Sequence, residues 1–287
     1  MITWNDYDRK NAHPTFGLLS QISPDGRYII STVKEKAVAA FYPDLYYPQL
    51  FFPIEGILVV YDTVKRDFFS LPGADDPDYV QTNAAWSPDG KWIVFSRARE
   101  YKIGDFNSKK EYYAAMKKVR KTFEGGAKFR YDLYRIPFNN GKGGGPEPLP
   151  GALKNGKSNY FAKFSPDGKW IVFCQADSFM LNQPDSLLFI IPAQGGTPRQ
   201  MQANTPGRMN SWHSWSPNGK WLVFSSKAVS PYTKLYITHI DEQGIDTPPV
   251  LLEGFVDSDR AANIPEFVNI NYDGLMEIRV SKEITGG

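Results

Sequence analysis

The sequence predicts an all-β fold built from repeated four-stranded antiparallel sheets. Three observations lead to this prediction: a ten-residue phrase that recurs along the chain, short apolar runs after each copy, and frequent turn residues, with 24 glycines and 22 prolines among 287 residues. A repeated strand–turn–strand unit is typical of proteins built from stacked or radial repeats. We therefore expect an antiparallel β-propeller.

The repeated phrase joins an aromatic residue or isoleucine to Ser-Pro-Asp-Gly and then to a basic, aromatic and β-branched run. Proline and aspartate suit the central positions of a type I turn, and glycine accepts the left-handed backbone that follows. The run after the turn has the composition of a strand. Each copy therefore predicts two antiparallel strands and their tight turn. Clear copies, the last with Asn for Asp, start at Ile22, Trp86, Phe164 and Trp215.

The spacing of the copies fits four-stranded units. The shortest interval, from Ser165 to Ser216, spans 51 residues, and one propeller blade takes about 40–50 residues. We therefore predict one β-propeller domain over residues 1–287, with four clear blades, a partial fifth, and insertions at residues 33–55 and 99–130. The repeat hairpins are expected near residues 20–32, 84–96, 162–174, 213–225 and 265–280.

Each hairpin is followed by an apolar run that predicts the third strand of its blade. We expect the N-terminal segment, residues 1–17, to close the ring by pairing with strands from residues 264–280. The alternative is that the chain is the C-terminal part of a longer protein. The third strands are predicted at residues 56–62, 131–136, 186–191 and 234–240.

The two insertions differ in the structure that they predict. Residues 40–55 contain three prolines, which argue against a regular helix or a central strand, so we expect a long loop. Residues 108–124 predict a helix of about four turns, because Ser108 and Glu111 form a capping box and apolar residues recur at helical spacing. Two glycines at 125–126 end it.

The Ser-Pro-Asp-Gly-Lys-Trp-Ile-Val-Phe hairpins resemble the WD40-like repeats of TolB-type β-propellers, over roughly residues 18–280. The resemblance is specific for the fold, whereas such propellers serve as binding scaffolds, as gates on peptidases and occasionally as enzymes. It also implies a location in the periplasm or cell envelope, although the chain shows no signal peptide.

Composition argues against several functional classes. A net charge of +2, from 33 basic and 31 acidic residues, gives no general attraction to nucleic acid. No apolar stretch approaches 18 residues, so we expect no membrane span. The single cysteine, Cys174, rules out an internal disulfide and a thiolate metal cluster. We expect no metal and no cofactor.

These patterns favour a non-catalytic scaffold that binds a protein partner or a ligand. The sequence has no Gly-x-Ser-x-Gly nucleophile elbow and only three scattered histidines. The alternative is a metal-dependent enzyme that acts on carbohydrate or peptide in the central channel. A third interpretation, nucleic-acid binding through the basic stretch 109–121, predicts steeply salt-dependent affinity.

The predicted topology separates two faces of the disc. If the strands of a blade are called A to D from the inside outward, the Ser-Pro-Asp-Gly turns join A to B on one face, the turn face. The B–C and D–A connections lie on the other, the loop-bearing face. Both long insertions are B–C connections, and loops on a rigid scaffold concentrate binding residues. We therefore expect the partner or ligand on the loop-bearing face.

Two sets of residues on this face are candidates for binding. Aromatic residues of the insertions either pack on one another as a lid or present a binding patch. Residues just ahead of each strand A point toward the channel mouth and offer hydrogen-bonding groups, among which a histidine could instead bond within its own strand. The insertions supply Tyr46, Tyr47, Phe51 and Tyr112, and the channel mouth supplies Asn83, Tyr160, Asn210, Trp212 and His213.

Overall fold

The computed structural model describes residues 20–104, 108–256 and 260–270. Their strands form four antiparallel units of four strands each, called blades 1 to 4, with the strands of each unit in sequence order. A parallel bridge between Gly56 and Val80 joins the first two units into one eight-stranded sheet. Blade 1 contains β1 (Gln21–Ile22), β2 (Tyr28–Phe41), β3 (Gln49–Asp62) and β4 (Asp67–Ser70). Blade 2 contains β5 (Tyr79–Trp86), β6 (Trp92–Arg99), β7 (Asp132–Pro137) and β8 (Glu147–Pro148).

The second half of the chain repeats this plan. Helix α1 (Lys109–Glu124) lies between β6 and β7, and short 3₁₀ turns occupy Asn139–Gly141 and Glu253–Phe255. Blade 3 contains β9 (Ser158–Phe164), β10 (Trp170–Ala176), β11 (Leu187–Pro192) and β12 (Arg199–Gln200). Blade 4 contains β13 (Asn210–Trp215), β14 (Trp221–Ser226), β15 (Lys234–His239) and β16 (Val250–Leu251).

The core lies between successive blades, as expected for a propeller-like stack of twisted sheets. One apolar layer joins blades 1 and 2 around Trp86 and Phe95, and a second joins blades 2 and 3 around Leu133 and Phe173. The third and largest layer lies between blades 3 and 4 and continues into the insertions. Burial between neighbouring sheets therefore holds the blades in order.

The predicted fifth hairpin and the ring closure fall mostly outside the described residues. Residues 1–19 and 271–280, which carry most of both predictions, are not described. Residues 260–270 are described and contain no strand. The described part of the chain thus contains four four-stranded units in a propeller-like arrangement, and both the blade count and the closure stay predictions.

The serine of the repeated phrase fixes each A–B turn through two hydrogen bonds. In blade 3, Ser165 Oγ donates to Asp167 Oδ1 at 2.5 Å and accepts from the backbone N–H of Trp170 at 3.0 Å. The aspartate in turn accepts from the N–H of Lys169. All four serines are buried and make the same pair of bonds. Local polar contacts therefore build the turn that proline and glycine permit.

These turns share one face of the molecule, as the topology predicts. The proline of each of the first three turns lies beside the turn glycine of the next blade, so the four turns follow one another on this face. The neighbouring pairs are Pro24 with Gly90, Pro88 with Gly168, and Pro166 with Gly219.

The predicted loop at residues 40–55 is wrong, because β3 begins at Gln49 and pairs with β2 as one long hairpin. Pro53 lies opposite Ala37, beside a shift in the β2–β3 register. Since β4 pairs with β3 only beyond residue 58, no second strand requires an N–H from this proline. Prolines are tolerated at such bulged edges. The other two prolines lie in the hairpin tip, residues 42–48.

The predicted helix is confirmed. Ser108 is the N-cap of α1 and accepts from the N–H of Glu111, and Gly125 is the C-cap. Val119 and Phe123 on its apolar side are buried against the blades. The helix therefore belongs to the packed structure of the loop-bearing face.

We expect Ser165→Ala to lower the free energy of unfolding by about 1–3 kcal/mol, because it removes one donor and one acceptor at a buried turn. Chemical denaturation followed by tryptophan fluorescence measures this loss.

Asp167→Asn is the matched control. Asn218 in blade 4 accepts the same bonds from its serine and from the N–H of Lys220, so the amide should cost less than about 1 kcal/mol. An equal or larger loss in the control would show that the serine does not fix the turn.

Candidate functional site

The connections on the loop-bearing face meet one another. The tip of the β2–β3 hairpin extends from blade 1 to blades 3 and 4. Lys227 Nζ donates to the carbonyl oxygens of Leu45 at 2.7 Å and Tyr46 at 3.1 Å, and Tyr47 Oη donates to Gln183 Oε1 at 3.4 Å. The hairpin therefore crosses this face and ties three blades together.

An aromatic cluster lies beneath the hairpin. Phe52 is fully buried, and its ring lies 5.1 Å from Phe123, 5.4 Å from Phe129 and 4.7 Å from Phe179, centroid to centroid. These rings come from three different B–C connections. Of the two alternatives for the insertion aromatics, packing on one another therefore describes this cluster.

The four predicted insertion residues lie at different depths. Phe51 is buried in the core, and Tyr47 is half-buried and stacked on Tyr42 at 5.3 Å. Tyr112 on α1 is half-buried against Tyr113. Tyr46 is exposed, with the guanidinium of Arg208 4.7 Å above its ring. Tyr46 is thus the predicted aromatic most open to a partner.

Three of the five predicted channel residues are buried and bonded within the chain. Tyr160 Oη donates to Ser186 Oγ at 3.0 Å. Asn210 Nδ2 donates to the carbonyl of Arg208, and its Oδ1 accepts from the N–H of Thr205. These bonds hold the connections around β9 and β13 in place, and ligand contact by these residues stays a prediction.

His213 is the third buried channel residue. Its Nε2 lies 3.0 Å from the carbonyl oxygen of Val172, and its Nδ1 lies 3.9 Å from Cys174 Sγ. Burial, with a smaller contribution from Lys163, lowers the pKa of His213 to about 3. The imidazole is therefore neutral at physiological pH and can donate from Nε2 to Val172, which joins β13 to β10.

The remaining predicted channel residues, Asn83 and Trp212, share an unusual backbone. Their φ angles are +54° and +46°, and Phe161 at the equivalent position of blade 3 has +55°. Each lies at a break in the pairing of the inner strand with its neighbour. Non-glycine residues rarely adopt this left-handed conformation, least of all bulky ones. Three inner strands thus carry the same strained bulge.

The three bulge residues line one cavity between the inner strands, where the sequence predicts the central channel. It also contacts Gln21 of blade 1, so the innermost strands of all four blades contribute. The rings of Phe161 and Trp212 stack at 4.5 Å. Asn83 Oδ1 is buried and has no hydrogen-bond partner among the described residues. The cavity therefore offers an aromatic wall and an unused acceptor.

A segment beyond blade 4 narrows this cavity. Residues 264–266 form part of its lining, and the remaining volume is about 30 Å³, room for roughly two water molecules. Glu266 Oε1 lies 2.5 Å from Lys163 Nζ, and its Oε2 accepts from Ser214 Oγ at 2.8 Å. Residues 264–266 of the chain itself therefore cover this cavity.

Sequence reasoning missed Phe161 and Lys163. Phe161 precedes its motif serine by four residues, as Asn83 and Trp212 precede theirs. Alignment on the serine would have identified Phe161. The contact of Lys163 with Glu266 joins residues 103 positions apart, and no local pattern signals it.

Other chemical features of the described residues are limited. Cys174 is fully buried, and burial raises the pKa of its thiol to about 12. Within the ranges that the structure describes, no three histidine, cysteine or acidic side chains lie together as a metal site requires. In the same ranges, no helix has the length and apolar character needed to cross a membrane.

Comparisons with known proteins give weak likenesses. No family model matches the chain. An uncharacterized protein of Agrobacterium fabrum is 39% identical over 60 residues, which cover 21% of this chain and 18% of that protein. The chain therefore spans less than a fifth of the curated relative that it matches.

Solved structures with a similar shape include TolB from Acinetobacter baumannii, at 18% identity and a TM-score of 0.44, covering 81% of this chain and 45% of that one. A TolB-like protein from Agrobacterium tumefaciens has 13% identity and a TM-score of 0.45, covering 81% and 79%. An oligogalacturonate lyase in complex with manganese has 15% identity and a TM-score of 0.46, covering 83% and 52%.

His213 makes stability depend on pH in a predictable direction. Its folded-state pKa lies below the ordinary histidine value of 6.5, so below that pH the unfolded chain binds a proton that the folded chain does not. Stability is therefore lost as the pH falls from about 6.5 toward 3, by about 1.4 kcal/mol per pH unit. Denaturation of the wild type and of His213→Gln at several pH values measures this contribution.

In His213→Gln the side chain does not titrate, so this loss should be absent. We expect the wild type to be the more stable protein at pH 7 and its advantage to shrink steadily toward pH 5. A constant difference over that interval would contradict the buried neutral histidine.

Proposed function

We propose that this chain is a non-catalytic β-propeller scaffold that binds a protein partner or ligand on its loop-bearing face, with the central channel as the seat of recognition. The observation that carries the proposal is the set of three left-handed bulges at Asn83, Phe161 and Trp212 around one cavity. The same geometry recurs in three blades, although the side chains differ.

Backbone strain of this kind supports a functional role for the channel. A non-glycine residue held in a rare conformation costs about 1–3 kcal/mol and persists where its surroundings require it. Bulges re-aim side chains and are common next to binding sites. Here they direct an amide, a phenyl ring and an indole at one space, and Asn83 Oδ1 lacks a partner there. An unpaired buried acceptor is costly unless a ligand donates to it.

The tip of the β2–β3 hairpin supports partner binding on the same face. Phe41 is 82% exposed and Leu45 is 52% exposed. The bond from Lys227 to the carbonyl oxygen of Leu45 attaches the backbone of the hairpin tip to blade 4. Large side chains on a fixed support are suited to anchor a partner at low entropic cost. Tyr46, which lies beside Arg208, extends this patch.

The resemblance of the repeat to TolB-type propellers leads us to place this activity in the periplasm or at the cell envelope. Fractionation of cells that express the protein from its complete reading frame tests this placement. Recovery in the cytoplasmic fraction alone would contradict it.

Capture of binding proteins from native extract tests whether the partner binds on the loop-bearing face. The loop-side variant replaces Phe41, Leu45 and Tyr46 with serine; Phe51 is left intact because it is buried in the core. We expect this variant to lose the proteins that the wild type captures, with an unchanged melting temperature.

The matched control replaces exposed lysines beside the turns with glutamate, at Lys91, Lys169 and Lys220. We expect this turn-side variant to capture the same proteins as the wild type. Loss of capture by the turn-side variant alone would place the partner on the opposite face. A stoichiometric transition metal in the purified protein would instead favour a metal-dependent enzyme.

A further inference from the structure

We propose that the central channel binds a carboxylate on an extended acidic peptide segment, and that residues 264–267 of this chain occupy the same site from within. The inference rests on the proposed function and names the class of ligand that the channel takes. It is drawn from the contacts that the described segment 260–270 makes with blades 3 and 4.

Two side chains on different blades bind the carboxylate of Glu266. Lys163 Nζ lies 2.5 Å from Oε1, and Ser214 Oγ donates to Oε2 at 2.8 Å. Glu266 is the acidic residue paired with Lys163 within the described ranges. The side chain of Lys163 is about three-quarters buried, so its attraction to the carboxylate is stronger than that between two exposed charges. The pair of donors forms a carboxylate-binding site.

The main chain of the segment is held by hydrogen bonds that do not involve its side chains. The N–H of Phe267 donates to Ser214 Oγ at 3.1 Å, and the N–H of Ala262 donates to the carbonyl of Thr233 at 2.9 Å. Ser225 Oγ donates to the carbonyl of Asn263. Three backbone groups of the segment are therefore bonded to blade 4.

The residues just before Glu266 lie at the cavity beside the stacked rings of blades 3 and 4. Ile264 and Pro265 line the cavity together with Phe161 and Trp212. The free volume of about 30 Å³ is too small for a second peptide beside them. An incoming ligand must therefore displace this segment, and it must offer similar groups: a carboxylate with an apolar residue before it.

The internal occupant is held loosely enough to be displaced. Ile264 is 57% exposed and Val268 is 63% exposed, and the side chain of Glu266 is 49% exposed. An ion pair with one half-exposed partner contributes little to stability. The segment competes well with a free peptide mainly because it belongs to the same chain, which gives it a high effective concentration at the site. Removing its charge should therefore open the site to a free peptide.

The experiment measures the binding of a fluorescein-labelled peptide with the sequence of residues 262–269 by fluorescence anisotropy. The full chain carrying Glu266→Gln is compared with the wild type. Because the neutral amide competes less well for Lys163, we expect Glu266→Gln to bind the peptide about tenfold more tightly, the change that one charge-assisted hydrogen bond supports. Thermal melts confirm that both proteins are folded.

Two further variants show where the peptide binds. Adding Lys163→Met to Glu266→Gln should weaken binding at least about tenfold, whereas adding Lys163→Arg should keep most of the affinity. Lys169→Met, at an exposed lysine on the turn face, is the control and should change nothing. A labelled peptide with glutamine in place of its glutamate should bind weakly to every variant.

Equal binding by the wild type and Glu266→Gln, or binding that does not depend on Lys163, would overturn the inference. Failure here leaves the scaffold proposal standing if the extract experiment still shows partners that depend on the loop-bearing face. Conversely, Lys163-dependent peptide binding without any such partner would support the channel site and contradict the partner patch at the hairpin tip.

Discussion

The hydrogen bonds of the motif serine determine the geometry on which the other features depend. They close the turn between strands A and B with a fixed number of residues, and the turn then sets the register of the pair. Ser165 makes these bonds in blade 3, and its counterparts repeat them in the other blades. With the register set, the residue four positions before the serine reaches the same level of the channel in each of blades 2, 3 and 4. Because the A–B turn is the same in each of these blades, residues of different type lie at the same level of the cavity.

That variable position gives the channel its chemistry. Blades 2, 3 and 4 place Asn83, Phe161 and Trp212 there, all in the left-handed conformation. Asn83 provides a hydrogen-bond acceptor, and Phe161 provides an apolar surface. Trp212 provides a ring whose N–H is already bonded to Asn182. The strained backbone is supported by core packing between blades. The fold thus separates a rigid repeated frame from a small set of residues that can differ between blades.

The sequence predicted features that local chemistry decides. The first four A–B hairpins, the helix and its Ser108 cap follow from turn residues and periodicity, and these are observed. The strand through Pro53 was missed because its tolerance depends on an unpaired neighbouring edge. The burial of His213, the aromatic cluster around Phe52 and the pairing of Lys163 with Glu266 join distant segments. No local pattern could have predicted those contacts.

A crystal structure of Glu266→Gln with the 262–269 peptide bound tests the central claim most directly, since it shows both the bulges and the ligand. We expect Asn83, Phe161 and Trp212 at positive φ, and the peptide carboxylate between Lys163 and Ser214. A peptide bound on the turn face, or inner strands without the three bulges, would contradict the account.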